Sequence, residues 1–324
     1  MLAGPIAVTD PKPSVSPQSP HALTGQAALA RGDWEAARVA FQTALADREE
    51  AAGLEGLGLA AWWLDLTVTV FDARERAYRL YREGGDDVSA ARVAVWLGWD
   101  YGAFRGEGAV ARGWLGLARQ LLESRHDTAE YAWLSVREGV FELFEEGNPD
   151  GARHHAREAV EAARAAGSRD LELLGQAVDG VAQVSAGQVD EGMRRLDGVS
   201  AALIAGDMTD RVAIGLAGCY LIAACDRVRD YDRAAQWCTR IKAFCTRWGL
   251  RPLFAVCRTQ YAAVCIWHGE WDEAERELEA AVHELSTSRP GMTSEGAVRL
   301  GELRRLQRRL AEAHALFDGA EGHP

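Results

Sequence analysis

The chain has 324 residues, 36 of them basic and 48 acidic, giving a formal net charge of −12. An acidic surface repels phosphate backbones, so direct nucleic-acid binding by the chain as a whole is disfavoured. Apolar residues at 48% and charged residues at 26% describe a folded chain, and no run of about 18 apolar residues offers a membrane span.

Residues 1–20 carry Pro5, Pro11, Pro13, Pro17 and Pro20 and lack a basic start. The prolines interrupt any apolar stretch of signal-peptide length, which predicts a disordered leader and a cytoplasmic, reducing environment. From residue 21 to 324 a turn followed by a patterned helix recurs. GDWEAARVAF begins at Gly32, RDYDRAAQWC at Arg229 and GEWDEAEREL at Gly269; NPDGARHHA from Asn148 and GQVDEGMRRL from Gly187 are weaker copies. A large residue, a small one three positions later and an anchor four after that share one helical face. The small residue lets the neighbouring helix approach closely.

The small anchors read as Ala37, Ala73, Gly113, Ala152, Gly192, Ala234, Ala274 and Ala313, a period of about 40 residues. A further helix, often with a glycine near its middle (Gly58, Gly98, Gly139, Gly180, Gly301), precedes each unit. The pattern predicts an all-α array of about eight helical hairpins stacked in a right-handed, tetratricopeptide-like superhelix. The segment DLTVTVF, Asp65 to Phe71, is the best strand candidate, but the array needs the start of a helix there.

With this pattern established, the chain resembles the helical-repeat region of actinobacterial LuxR-type transcription regulators, in the style of the MalT family. The residues that carry the resemblance are GDWEAARVAF, ARVAVWLGWDY, GWLGLARQLLE, CYLIAACDRVRDYDRAAQWC and RPLFAVCRTQYAAVCIWHGEWDEAERELEAAV, from about Thr24 onward. The resemblance implies a module that binds a protein, peptide or small effector in its concave groove and signals to an attached DNA-binding module. No segment here reads as that module, and no G-x-x-x-x-G-K-[ST] occurs, so no nucleotide cofactor is expected.

Candidate groove residues follow from placing the mid-helix glycines in register. They are Trp62, Trp63, Trp99, Trp133 and Trp267, with Asp100, Arg137 and Glu138 as a polar floor; Phe144 falls in the same register. Space-filling between helices is the other use of such tryptophans. The six cysteines, Cys219, Cys225, Cys238, Cys245, Cys257 and Cys265, lack the C-x₂-C spacing of a zinc site and read as small buried residues. His154 and His155 point about 100° apart on a helix, so neither they nor Glu158 predict a metal site. Arg299, Arg304, Arg305, Arg308 and Arg309 form the one basic run, with Glu295, Glu302 and Glu312 in pairing range. No catalytic residue is predicted. A small-molecule-binding protein or enzyme on a repeat scaffold would need a closed pocket with Asp100 and Glu138 converging. A homodimer would need an exposed apolar face on the last repeat.

Overall fold

The computed structural model describes residues 19–248 and 251–321. Among them are sixteen α-helices, one short 3-10 turn and no strand. The helices pair in sequence: α1 (Pro20–Arg31) with α2 (Trp34–Asp47), α3 (Ala51–Trp63) with α4 (Thr67–Glu83), α5 (Asp87–Arg105) with α6 (Gly108–Leu121), and α7 (Ala129–Phe144) with α8 (Pro149–Ala165). The second half continues with α9 (Arg169–Ser185) and α10 (Val189–Ala205), α11 (Arg211–Val228) and α12 (Tyr231–Trp248), α13 (Arg251–His268) and α14 (Trp271–Ser288), and α15 (Ser294–Leu306) and α16 (Leu310–Glu321). These eight hairpins stack in order as a tetratricopeptide-like superhelix, and no helix is long and apolar enough to cross a membrane. Residues 1–18 of the expected leader lie outside the described residues. Its last residue, Pro20, already opens α1, with Ser19 accepting the Ala22 amide at 3.1 Å.

One backbone feature sets the repeat. Each hairpin turns through a residue with positive φ: Gly32, Asp65, Gly106, Gly147, Gly187, Arg229, Gly269 and Arg308. The second helix begins two residues later in every case. Glycine fills five of these eight places because it adopts the left-handed conformation without a Cβ clash. Five residues beyond each turn residue lies the position where the two helices meet. It holds Ala37, Val70, Ala111, Ala152, Gly192, Ala234, Ala274 and Ala313, all buried.

Six of the eight expected anchors are thus in register, and two are corrected. Ala73 sits one helical turn beyond Val70, on the same face, and is still fully buried. Gly113 is two residues beyond Ala111 and points to open solvent, since an added Cβ would meet nothing within 4 Å. The segment Asp65 to Phe71 is a turn and the start of α4, as the array requires. Val70 and Phe71 are buried while Val68 is 84% exposed, so one-sided helical packing overrides the β propensity of the run.

The odd-numbered helices of successive hairpins touch one another and form the inner wall. The array also closes on itself. Arg211, at the start of α11, donates to the carbonyls of Leu29 (3.4 Å) and Ala30 (2.7 Å) at the end of α1. Arg289, after α14, donates to the Trp62 carbonyl at 2.8 Å and pairs with Asp65 at 3.0 Å. Gly291, in the 3-10 turn Pro290–Met292, lies so close to α5 that an added Cβ would come within 2.0 Å of the Gly102 carbonyl oxygen. Hairpin six thus meets hairpin one, and the link between hairpins seven and eight meets hairpins two and three. A full superhelical revolution takes about five hairpins, and its neighbouring turns are clasped together.

Candidate functional site

The clasped turns frame a partly open cavity of about 580 Å³, within the size range of small-molecule sites. Trp62 from α3, Trp99 from α5, Arg137, Val140, Phe141 and Phe144 from α7, Leu216, Cys219 and Tyr220 from α11, Gln260 from α13, and Arg289, Gly291 and Met292 from the link before α15 all reach it. The walls come from the inner helices of six hairpins and from the start of α6, so the chamber exists only because the superhelix closes. A second concavity of about 760 Å³ opens on the last hairpin, lined by Glu295, Arg299 and Phe317 among others. It has no unpartnered buried polar side chain on its wall.

The floor of the inner cavity is an aromatic cluster threaded by guanidinium groups. Trp34 stacks on Trp63 with ring centres 4.9 Å apart, Trp62 meets Trp63, Trp96 and Trp99 edge to face, and Trp96 lies parallel to Trp99 at 5.5 Å. Trp133 tilts against Trp96 at 6.3 Å. Arg74 sits 4.4 Å over Trp96, Arg289 4.1 Å over Trp62, and Arg137 3.2 Å over Trp99. Such aromatic pairs add about 0.5–1.5 kcal/mol beyond burial, and desolvated cation–π contacts about 2 kcal/mol.

The charges in this cluster are unevenly matched. Arg74 pairs with Asp100, both wholly buried. Arg289 pairs with Asp65. Arg137 has no carboxylate, and its Nε and Nη2 are buried with no hydrogen-bond partner. Burial pushes the Asp100 carboxyl up, against the pull of Arg74, Arg289 and Arg137. Burial drags the Arg137 guanidinium down to about 10, with Tyr220 and Asp100 opposing weakly. The Tyr220 hydroxyl, also buried and without a partner, is pushed up to about 12 by burial while Arg137 pulls it the other way. Arg137 from α7 and Tyr220 from α11 both line the cavity, and the Tyr220 ring stacks on Phe144 of α7 at 6.2 Å.

Of the eight expected groove residues, Trp62, Trp99 and Arg137 line the cavity. Trp63 does not: it is packed in the core between Trp34 and Trp62. Trp133 stands behind Arg137, 5.5 Å from its guanidinium. Trp267 is 53% exposed and stacks on Tyr231 away from the cavity. Asp100 and Glu138 do not converge. Asp100 is sealed beneath the cavity by Arg74, whereas Glu138 pairs with Arg119 beside α8. Phe144 does line the cavity. Sequence reasoning missed Trp96, Arg74, Tyr220 and Arg289. Trp96 stood in the quoted motif ARVAVWLGWDY, three residues from Trp99 and so on the same helical face; Arg289 carried no local signal.

Glu138, His155 and Glu158 bring three ligand-type atoms within 4.8 Å. The space between them holds the Arg119 guanidinium, which pairs with Glu138 and Glu158 and lies 3.4 Å from His155 Nδ1. The cluster carries its own cation and is an ion-pair network between hairpins three and four. Cys219, Cys225, Cys238 and Cys265 are free thiols, Cys238 at the core of its hairpin; Cys245 and Cys257 lie outside the residues whose side chains are described. Three of the five C-terminal arginines are engaged in ion pairs, while Arg305 and Arg308 are exposed. Arg304 is only 4% exposed and pairs with Glu275, Glu279 and Glu312, while Arg299 pairs with Asp226 and Arg309 with Glu275.

Fold and cavity together define a helical-repeat protein of the tetratricopeptide type with a partly open cavity between its clasped turns. Its structure is similar to that of a signal transduction ATPase with numerous domains that has a tetratricopeptide-repeat sensor, from Pyrococcus horikoshii. That likeness has a TM-score of 0.51 at 14% identity and covers 93% of this chain and 48% of the other, so the chain spans about half the length of that protein. It is also similar to a Rap protein complexed with Competence and Sporulation Factor, with a TM-score of 0.53 at 12% identity over 90% of this chain and 98% of that one. At these identities the likeness concerns the fold. No family model and no curated protein matches the sequence.

Proposed function

We propose that the chain is a sensing module that binds a peptide or small effector inside the superhelix, serving as the repeat region of a LuxR-type transcription regulator. The observation that carries this reading is the 580 Å³ chamber between clasped turns. A ligand there touches hairpins two to four and six to eight at once, so its binding energy acts directly on superhelical curvature. Each repeat contacts only its neighbours and the clasps, and small rotations add along the array. An attached DNA-binding module would read the change in shape, which suits a chain whose own charge disfavours DNA. The separation of Asp100 from Glu138 speaks for binding without catalysis.

The test uses 8-anilinonaphthalene-1-sulfonate, an amphiphilic anion that fluoresces in apolar surroundings. Saturable binding is expected in the full chain and is lost in Gly102→Phe, whose added side chain starts from open space at the cavity wall. X-ray scattering should register a change in overall dimensions on probe binding. Undiminished binding to Gly102→Phe would place the probe elsewhere and overturn the reading.

A further inference from the structure

We infer that the chamber recognises a small apolar acid, whose single carboxylate is held between Arg137 and Tyr220 while its body lies against Trp99, Phe141, Phe144 and Leu216. This rests on the sensing reading above and names the chemical class of its ligand. Three guanidinium groups, Arg74, Arg137 and Arg289, crowd around Asp100, and two carboxylates, Asp100 and Asp65, face them. Three against two leaves one positive charge unmatched, and the group without a partner is Arg137. Sharing Asp100 between Arg74 and Arg137 would leave the count unchanged.

Other acids near the cavity do not close the deficit. Glu295 is engaged by Gln260 at 2.6 Å and by Arg299 at 3.0 Å. Arg112 and Glu146 cancel each other at the rim. Glu145 is exposed and lies eight residues along α7 from Arg137, about 12 Å of helix. A buried cation without an anion is costly, and a ligand that supplies the anion recovers that cost on binding.

The geometry selects a carboxylate. The two partnerless nitrogens of Arg137, Nε and Nη2, form one edge of the guanidinium, the edge that accepts both oxygens of a planar carboxylate in parallel. The hydroxyl of Tyr220, a residue 6% exposed, is equally without a partner and supplies a third donor from α11. The Arg137 edge is covered where it rests on Trp99, so the ligand draws it off the ring and into the chamber. Trp99 fluorescence reports that movement. Most of the remaining lining is apolar; Arg112, Glu145, Gln260, Arg289 and Glu295 are its other polar members, and Gln260 Oε1 is a buried acceptor without a partner.

The experiment titrates the full chain with decanoate and, separately, 1-decanol, following tryptophan fluorescence and calorimetry. Decanoate should saturate at one site and bind at least about tenfold more tightly than decanol. Arg137→Gln should bring decanoate to the level of decanol while leaving the Tm of the free protein unchanged or higher, and Tyr220→Phe should cost roughly threefold. If Arg137→Gln folds poorly, the acid–alcohol comparison on the unaltered chain still decides. Trileucine against its C-terminal amide identifies the source of the acid. A preference for the free acid supports the same site, with a peptide C-terminus as the natural donor if trileucine outbinds decanoate. Equal binding of decanoate and decanol, with both abolished by Gly102→Phe, would overturn the acid while keeping the chamber as the binding site. Decanoate binding that survives Gly102→Phe would overturn both. No decanoate binding at millimolar concentration would overturn the acid.

Discussion

Hairpins one to four and hairpins seven and eight solve the same stacking problem with different chemistry. In the first group, Trp34, Trp62, Trp63, Trp96, Trp99 and Trp133 form a contiguous aromatic cluster with guanidinium groups between the rings. In the last pair a small separate core of Ala262, Cys265, Ala274, Leu278, Leu300 and Leu303 is flanked by a network in which Arg304, Arg309 and Gln307 all converge on Glu275. Aromatic burial is indifferent to salt and acid, whereas an ion network that is partly open to solvent is screened and titratable. The first region is thus a rigid wall. The last two hairpins are a weaker body, and the link before α15 clasps them onto that wall.

The largest test of this contrast is Trp62→Ala. Removing the fully buried hub of the cluster should cost about 3–5 kcal/mol in urea unfolding. A cost below 1 kcal/mol would refute the rigid-wall description. Next, Arg289→Ala leaves Asp65 without its partner and should cost about 3 kcal/mol. Hydrogen exchange should speed in hairpins two and eight together. Faster exchange in one alone would show that the clasp does not couple the regions.

Acid should move the two regions in opposite directions. Burial acts to raise the Glu275 carboxyl, but hydrogen bonds from Gln307, Arg304 and Arg309 outweigh it and hold the group at about 2, below its ordinary 4.5. A depressed carboxylate stabilises the fold above pH 4.5, and that contribution fades as pH falls from 4.5 towards 2. Amide exchange in hairpins seven and eight should accelerate over this window, and Glu275→Gln should flatten the dependence. Asp100 is raised by burial above 3.8, so lowering the pH towards 3.8 favours the folded form there. Equal acid sensitivity in both regions would erase the distinction.

The smallest effect belongs to Gly113→Ala. The position is exposed, helical and unobstructed, so the change should stabilise by about 0.5–1 kcal/mol. Destabilisation would restore Gly113 as a packing anchor.

The hairpin count was legible because each unit repeats the same local problem, a left-handed turn followed by a small residue. The two anchors out of register show where the reading failed. The second hairpin puts Val70, a larger residue, at the contact, and the third puts Ala111 just ahead of the prominent Gly113-Trp114 pair. Counting five residues from the turn residue would have found both. Trp62, Trp99 and Arg137 were found at the cavity because helical register alone turns them inward. Tyr220 and Arg289 could not be found that way. Tyr220 meets Phe144 from two hairpins further on, and the Arg289 contacts, about one superhelical revolution away, span 224 and 227 residues of sequence. Trp63 was misplaced because adjacent residues point about 100° apart, and only one of Trp62 and Trp63 can face inward.

The closure at every fifth hairpin has a consequence for how such a chain can change. An open solenoid tolerates the gain or loss of a unit, because each new neighbour resembles the old one. Here, deleting any hairpin between the third and the sixth would advance everything after it by one fifth of a revolution. Arg289 would then arrive opposite the first turn, where Gly32 stands in place of Asp65. The clasp is in effect a length gauge, and it permits variation in loops and side chains while forbidding variation in number.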